Sequence, residues 1–213
     1  MCIRDSIYVA GETSAPDFPL KNPFQSSFST AQSCPVVSGG LGVCFLAFVT
    51  KFPSSGNEVL YSSYLGSTAG DNTTTGIAVD SAGSAWITGA VQASGFPLAG
   101  NYIQSLPSSS QNGFISQVSP DGSRLLYSTY LGGGNIDNLL AIAVDSTGNA
   151  YVAGWSNSLN FPVVNAYQST APTNSPTNAV VAKINPNLKP SLVYSTYLGA
   201  ANGSTVLLSL IHI

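Results

Sequence analysis

Chemistry at a protein site needs imidazoles, thiols, carboxylates or amines within reach of one another, and this 213-residue chain is short of all four. It has one histidine, three cysteines, nine Asp and Glu together, and six Lys and Arg. The histidine, His212, and one cysteine, Cys2, lie in the terminal hexamers LSLIHI and MCIRDS. Back-translated as CTG TCT CTT ATA CAC ATC, the C-terminal hexamer has a reverse complement that, read one base in, is ATG TGT ATA AGA GAC AG. That string encodes Met-Cys-Ile-Arg-Asp and the start of Ser6. The two ends are therefore expected to be one DNA element read from opposite strands, similar to the transposase end sequence used to build sequencing libraries. Residues 1–6 and 208–213 are set aside from fold reasoning on that ground. The remaining segment, 7–207, has no histidine, which excludes Ser-His-Asp and Cys-His arrangements and His-ligated metal there. Cys34 and Cys44 are too few to hold a structural zinc.

The carboxylates fall mostly in turn signatures. Asp80 opens DSAGS and Asp145 opens DSTGN, where Asp caps a tight turn and Gly takes positive φ. Asp121 in SPDGS reads the same way. Asp71 in GDN and Asp137 in NIDN are candidate calcium ligands through oxygen, although no spaced acidic series like an EF-hand loop surrounds them. No other cofactor is indicated. LGGGN at 131–135 lacks the lysine and following helix of a phosphate loop. Trp155, after the AYVAG segment, and Asn157 beside it are binding candidates, since an exposed indole can stack on a sugar or anchor a partner. The competing reading of Trp155 is packing under a loop. Trp86 takes the place of Tyr8 and Tyr151 and is expected in the core. NTT at 72–74 and NGS at 202–204 match the glycosylation triplet, which a bacterial protein would leave idle.

The elements that must position these residues repeat. YSSYLG at 61–66 returns as YSTYLG at 127–132 and 194–199, offsets of 66 and 67 residues. IAVD at 77–80 returns at 142–145. AWITG at 85–89 matches AYVAG at 150–154 and IYVAG at 7–11. GFP at 95–97 matches NFP at 160–162 and DFP at 17–19, each carrying a Phe (Phe96, Phe161, Phe18) expected to anchor the loop after it. AFVTKF at 47–52 matches GFISQV at 113–118 and VVAKI at 180–184. A fixed period marks a repeat architecture. Each unit holds four short segments rich in Val, Ile, Tyr and Thr, in the third unit 141–145, 150–154, 180–184 and 192–198. Both faces of LLYSTYLG are largely apolar, as a strand covered on both sides requires. The fold class expected is all-β, a β-propeller of four-stranded antiparallel blades, incomplete, with about two and a half to three blades. Residues 7–66 are then a partial blade with strands B–D, 67–132 and 133–199 are blades, and 200–207 begin the next.

The ordered words YSTYLGG, IAVDSTGNAYVAG, NFP, Q, VVAKIN and LVYSTYLG resemble the SBBP repeat family, named for seven-bladed β-propellers, over nearly all of 7–199. That resemblance implies a propeller, commonly in large bacterial surface or secreted proteins, and no settled activity. Gln117 stands where the other units have Lys51 and Lys183, which argues against an essential role for that lysine.

If strands A to D alternate in direction, the long B–C loops (90–112, 155–178) and D–A crossings (67–75, 133–140) share one face, which is the expected binding face. The first B–C loop carries an insert within 26–46 holding Cys34 and Cys44. A disulfide between them is expected, worth about 2–3 kcal/mol in the loop-entropy model and implying an oxidising compartment. Charged residues are 7% against 44% hydrophobic, net charge is −3, and no basic patch exists, which excludes nucleic acid as a partner. No apolar run reaches the length of a membrane span. The function expected is a noncatalytic propeller region of a larger secreted or cell-surface protein, binding a protein or glycan. The alternatives are a lyase- or glycosidase-type propeller enzyme with its catalytic residues on other blades, or a structural spacer.

Overall fold

The computed structural model describes residues 6–27, 44–67, 69–105, 107, 111–172 and 177–200. Among them the elements are all strands: β1 (Ser6–Thr13), β2 (Leu46–Pro53), β3 (Tyr61–Leu65), β4 (Asn72–Val79), β5 (Ala85–Val91), β6 (Asn112–Val118), β7 (Leu125–Leu131), β8 (Asp137–Val144), β9 (Ala150–Ser156), β10 (Asn178–Ile184) and β11 (Leu192–Leu198). They form three antiparallel meanders, β1–β3, β4–β7 and β8–β11. The three sheets fit an incomplete propeller, the first holding three strands and the other two the four of a whole blade. The A–B turns close as expected, with Gly83 and Gly148 at φ of 85° and 82°.

The sheets stack face to face, and the apolar residues on both faces of the middle sheet follow from that. Trp86, Ile115, Tyr127 and Leu131 pack against Leu139, Val152 and Val180 of the third sheet. On the other face Ile87, Phe114, Val118 and Tyr130 pack against Val49, Tyr61 and Leu65 of the first. Every residue of β5 is buried.

Two expectations need correction. β8 starts at Asp137 rather than at 141 and β4 at Asn72, so the D–A crossings span 132–136 and 66–71, not 133–140 and 67–75. A register shift between Leu139 and Ala141 absorbs one extra residue, which lets the polar pair Asp137 and Asn138 join the sheet opposite Ser156 and Trp155. β4 shifts in the same way between Thr74 and Gly76. Trp155 accordingly lies inside β9, not after it.

The long B–C loops return along the edge strands. Lys21 bridges Ser62, Ala99 bridges Ser128 and Val164 bridges Ser195, each by reciprocal backbone hydrogen bonds of 2.8–3.2 Å. An open sheet edge invites pairing with another chain, and here each loop covers it. The hexamer on β7 holds the loop residue by residue. Tyr127 reaches forward to the third sheet, its hydroxyl 2.9 Å from Ser191 Oγ. Ser128 Oγ meets Ser116 Oγ at 2.8 Å. Thr129 Oγ1 accepts from the backbone of Ile103 and Gln104. Tyr130 Oη accepts from Phe96 N at 2.9 Å and donates to Ala93 O at 3.2 Å, while its ring packs on Phe96. Gly132 closes the set in a two-way clamp with the Gln104 amide. Gln25 clamps Gly66 in the same way in the first sheet, and in the third Gln168 Oε1 accepts from Gly199 N while its Nε2 turns to Thr170 O.

Candidate binding surface

At the end of the sheets carrying the A–B and C–D turns, the carboxylates are spent on structure. Asp80 Oδ1 accepts from the backbone of Ala82 and Ser84, and its Oδ2 accepts from Trp86 Nε1 and Gln117 Nε2. Asp145 repeats the cap through Thr147 and Asn149, with Tyr151 in place of the indole. Desolvation acts to raise the Asp145 carboxyl, but hydrogen bonds from Asn149, Thr147 and Tyr151 hold it well below the usual carboxylate range. Asp121, exposed, is held down to about 2 by Ser119 and Ser123. A carboxylate pinned in its ionised form by turn donors is a cap, not a general acid.

At the opposite end the two calcium candidates prove to occupy different places. Asp71 precedes β4, where its Oδ1 accepts from Phe45 N at 3.0 Å. Asp137 opens β8 and is fully buried, its Oδ2 accepting from Gly133 N at 2.7 Å and Ser158 Oγ at 3.0 Å. The counterpart of Asp137 in the preceding sheet is Asn72, since both open strand A and pair with the last residue of strand B. Asn72 is itself fully buried, which closes that glycosylation triplet to modification in the folded chain. Among the described residues no group of three His, Cys, Asp or Glu is placed to hold a metal ion.

Trp155 is half-buried, opposite Asn138 on β8 and Ala179 on β10. Its sheet face is the one that, in the middle sheet, the third sheet covers. Asn157, two residues on, donates its backbone N–H to Ile136 O, and its side-chain Oδ1 is buried without a partner. Cys44, just before β2, is disulfide-bonded, and the remaining cysteines, Cys2 and Cys34, lie outside the described residues.

Sequence reasoning missed a groove. It lies between the first and middle sheets, has a volume of about 470 Å³, and is walled by Phe24 and Gln25 of one B–C loop and Pro97 and Leu98 of the next. Arg124 and Leu125, where the C–D turn enters β7, complete it. Arg124 is exposed and in no ion pair among the described residues, whose one ion pair is the exposed Lys21–Glu58. At the next seam the matching positions are filled: Asn160, in the place of Gly95, accepts from Gly134 N at 2.7 Å, and Ser191, in the place of Arg124, bonds Tyr127. The available signal was the contrast between SPDGSR and NPNLKPS at the two C–D turns.

A family model described as a beta-propeller repeat, SBBP, matches residues 126–162. Those residues match the SBBP repeat. The match runs from the hexamer on β7 through the crossing, β8 and β9 to Phe161–Pro162. The matched stretch thus straddles the junction between the middle and third sheets and is not one four-stranded sheet. Its two ends bind different partners, since Tyr130 accepts from Phe96 of its own sheet and Phe161 donates to Tyr197 of the third. None of the curated proteins matches the chain.

Proposed function

We propose that the chain is a noncatalytic stretch of β-propeller from a larger secreted or cell-surface bacterial protein, binding a protein or glycan partner through its long loops. The groove between the first two sheets carries this reading. It is built from two successive B–C loops, is lined by Phe24, Pro97, Leu98 and Leu125 beside Gln25, Ser27 and Ser123, and presents the Arg124 guanidinium, which is in no ion pair among the described residues. A concave, mostly apolar surface with a few polar groups is the usual form of a recognition site. Arg124 adds planar, charge-assisted hydrogen bonding to a carboxylate or to other acceptors. The disulfide at Cys44 supports an oxidising compartment.

The test is affinity capture from a glycan array and from the extracellular fraction of the source organism, with wild type beside Arg124→Glu and Leu98→Asp. Arg124 is exposed and Leu98 is partly buried against the core, so Arg124→Glu should fold and lose the captured partner, and Leu98→Asp counts only where its circular dichroism matches wild type. Equal capture by all three proteins would sink the groove reading, and no capture by wild type would favour a spacer.

A further inference from the structure

The strand-A opening residue is the place in the crossings where an amide becomes an acid. In the first crossing Asn72 is fully buried, with Nδ2 lying 2.7–3.1 Å from the carbonyl oxygens of Phe45, Ser67 and Gly70. Its Oδ1 accepts from Ser67 N at 2.8 Å. The carboxamide therefore ties the crossing together as donor and acceptor at once, and reaches back to the preceding sheet through Phe45. In the next crossing the same place holds Asp137, also fully buried. Its Oδ2 does the acceptor half, taking Gly133 N and Ser158 Oγ. Its Oδ1 is buried with no hydrogen-bond partner among the described residues. A carboxylate has nothing to donate, whereas a carboxylic acid has one O–H and matches the amide in shape.

We propose that Asp137 is a proton-operated latch on the crossing between the middle and third sheets, closed when the acid is protonated and loosened when it ionises. Among the described residues the surroundings supply no countercharge to hold the ionised form. From β6 comes Asn112, from β9 and the loop after it Ser156 and Ser158, and from β10 Asn178, all neutral. From β11 comes Tyr197, the one titratable neighbour, whose hydroxyl donates to Ser158 O and accepts from Phe161 N. Burial pushes the Asp137 carboxyl up, and the polar groups around it, with Gly133 N and Ser158 Oγ bonded to Oδ2, offset only part of that. An acid raised on folding stabilises the fold below its unfolded pKa, and that stability is lost as pH climbs through the raised folded value. The latch therefore tightens toward mildly acid pH and slackens toward neutral. This goes beyond the binding reading and is independent of it.

Hydrogen exchange of the full chain at about pH 4 and about pH 8, corrected for intrinsic rates, tests the latch, with Asp137→Asn as comparator. Protection of residues 133–138 should fall roughly ten-fold or more in wild type across that range and change little in the variant. Asn72→Asp is the second arm and should confer the same dependence on residues 66–72. Wild-type protection that is flat with pH, or a dependence that survives in Asp137→Asn, would overturn the latch. So would an Asn72→Asp crossing whose exchange ignores pH.

Discussion

Tyr130 shows how much one repeated side chain carries. Its ring is buried against Phe96, and its hydroxyl holds the Phe-Pro loop by accepting from Phe96 N and donating to Ala93 O. Tyr130→Phe keeps the ring and leaves the buried Phe96 N–H without an acceptor, which should cost about 1–3 kcal/mol. Urea denaturation of the variant against Tyr102→Phe, an exposed tyrosine, measures it, and a loss no larger than the control's would contradict the anchor role. Gly154 is a different case at the same scale. A Cβ there would stand 2.0 Å from Asn138 O and 2.7 Å from Leu139 Cα, both backbone atoms of the bulged strand. Gly154→Ala cannot be relieved by a rotamer change, so it should destabilise by about 3 kcal/mol or more or fail to fold. Gly148→Ala, in the A–B turn, places a Cβ with nothing within 4 Å but sits at φ 82°, and its cost should be the backbone strain alone, about 1–2 kcal/mol.

At the scale of elements, the loops read as binding surface are first of all edge covers. Ala99 donates to Ser128 O and accepts from Ser128 N, and the Gln104 amide clamps Gly132. Ala99→Pro removes the donor and should expose the edge of β7. The expected outcome is a loss of about 1–2 kcal/mol and faster exchange at Ser128, measured by hydrogen exchange; unchanged Ser128 protection would contradict the cover role. Strand type, strand order and the caps at Asp80, Asp121 and Asp145 were legible because each rests on neighbours a few residues away. Phe96 and Phe161 were legible as anchors through recurrence. The short D–A crossing was not, because a bulge places Leu140 outside the pairing count and nothing local marks it. The groove was hidden for a different reason. Its walls come from two blades, and Arg124 acquires meaning only beside Leu98 and Phe24, which packing brings close.

The same step of the hexamer has opposite fates in successive sheets, and this sets the behaviour of the whole molecule. Leu131 is fully buried because the third sheet lies over it, whereas Leu198 is 44% exposed. On the other outer face Ile7 and Val9 are 49% and 40% exposed. Each bare face is the complement of the other, since the first sheet offers what the third offers the middle one. Contact between two copies is therefore heterologous, face of one to opposite face of the next, and does not stop at a dimer unless a ring closes. The chain should form a concentration-dependent series of assemblies in light scattering after gel filtration, and a monomer that melts cooperatively at every concentration would contradict this. Val9→Glu and Leu198→Glu each blunt one face and should each end the series early. Mixed in equal amounts, the two variants retain one good face apiece, and those faces complement each other. The mixture should then give a heterodimer and nothing larger, whereas a symmetric face-to-face contact would give homodimers of one variant alone.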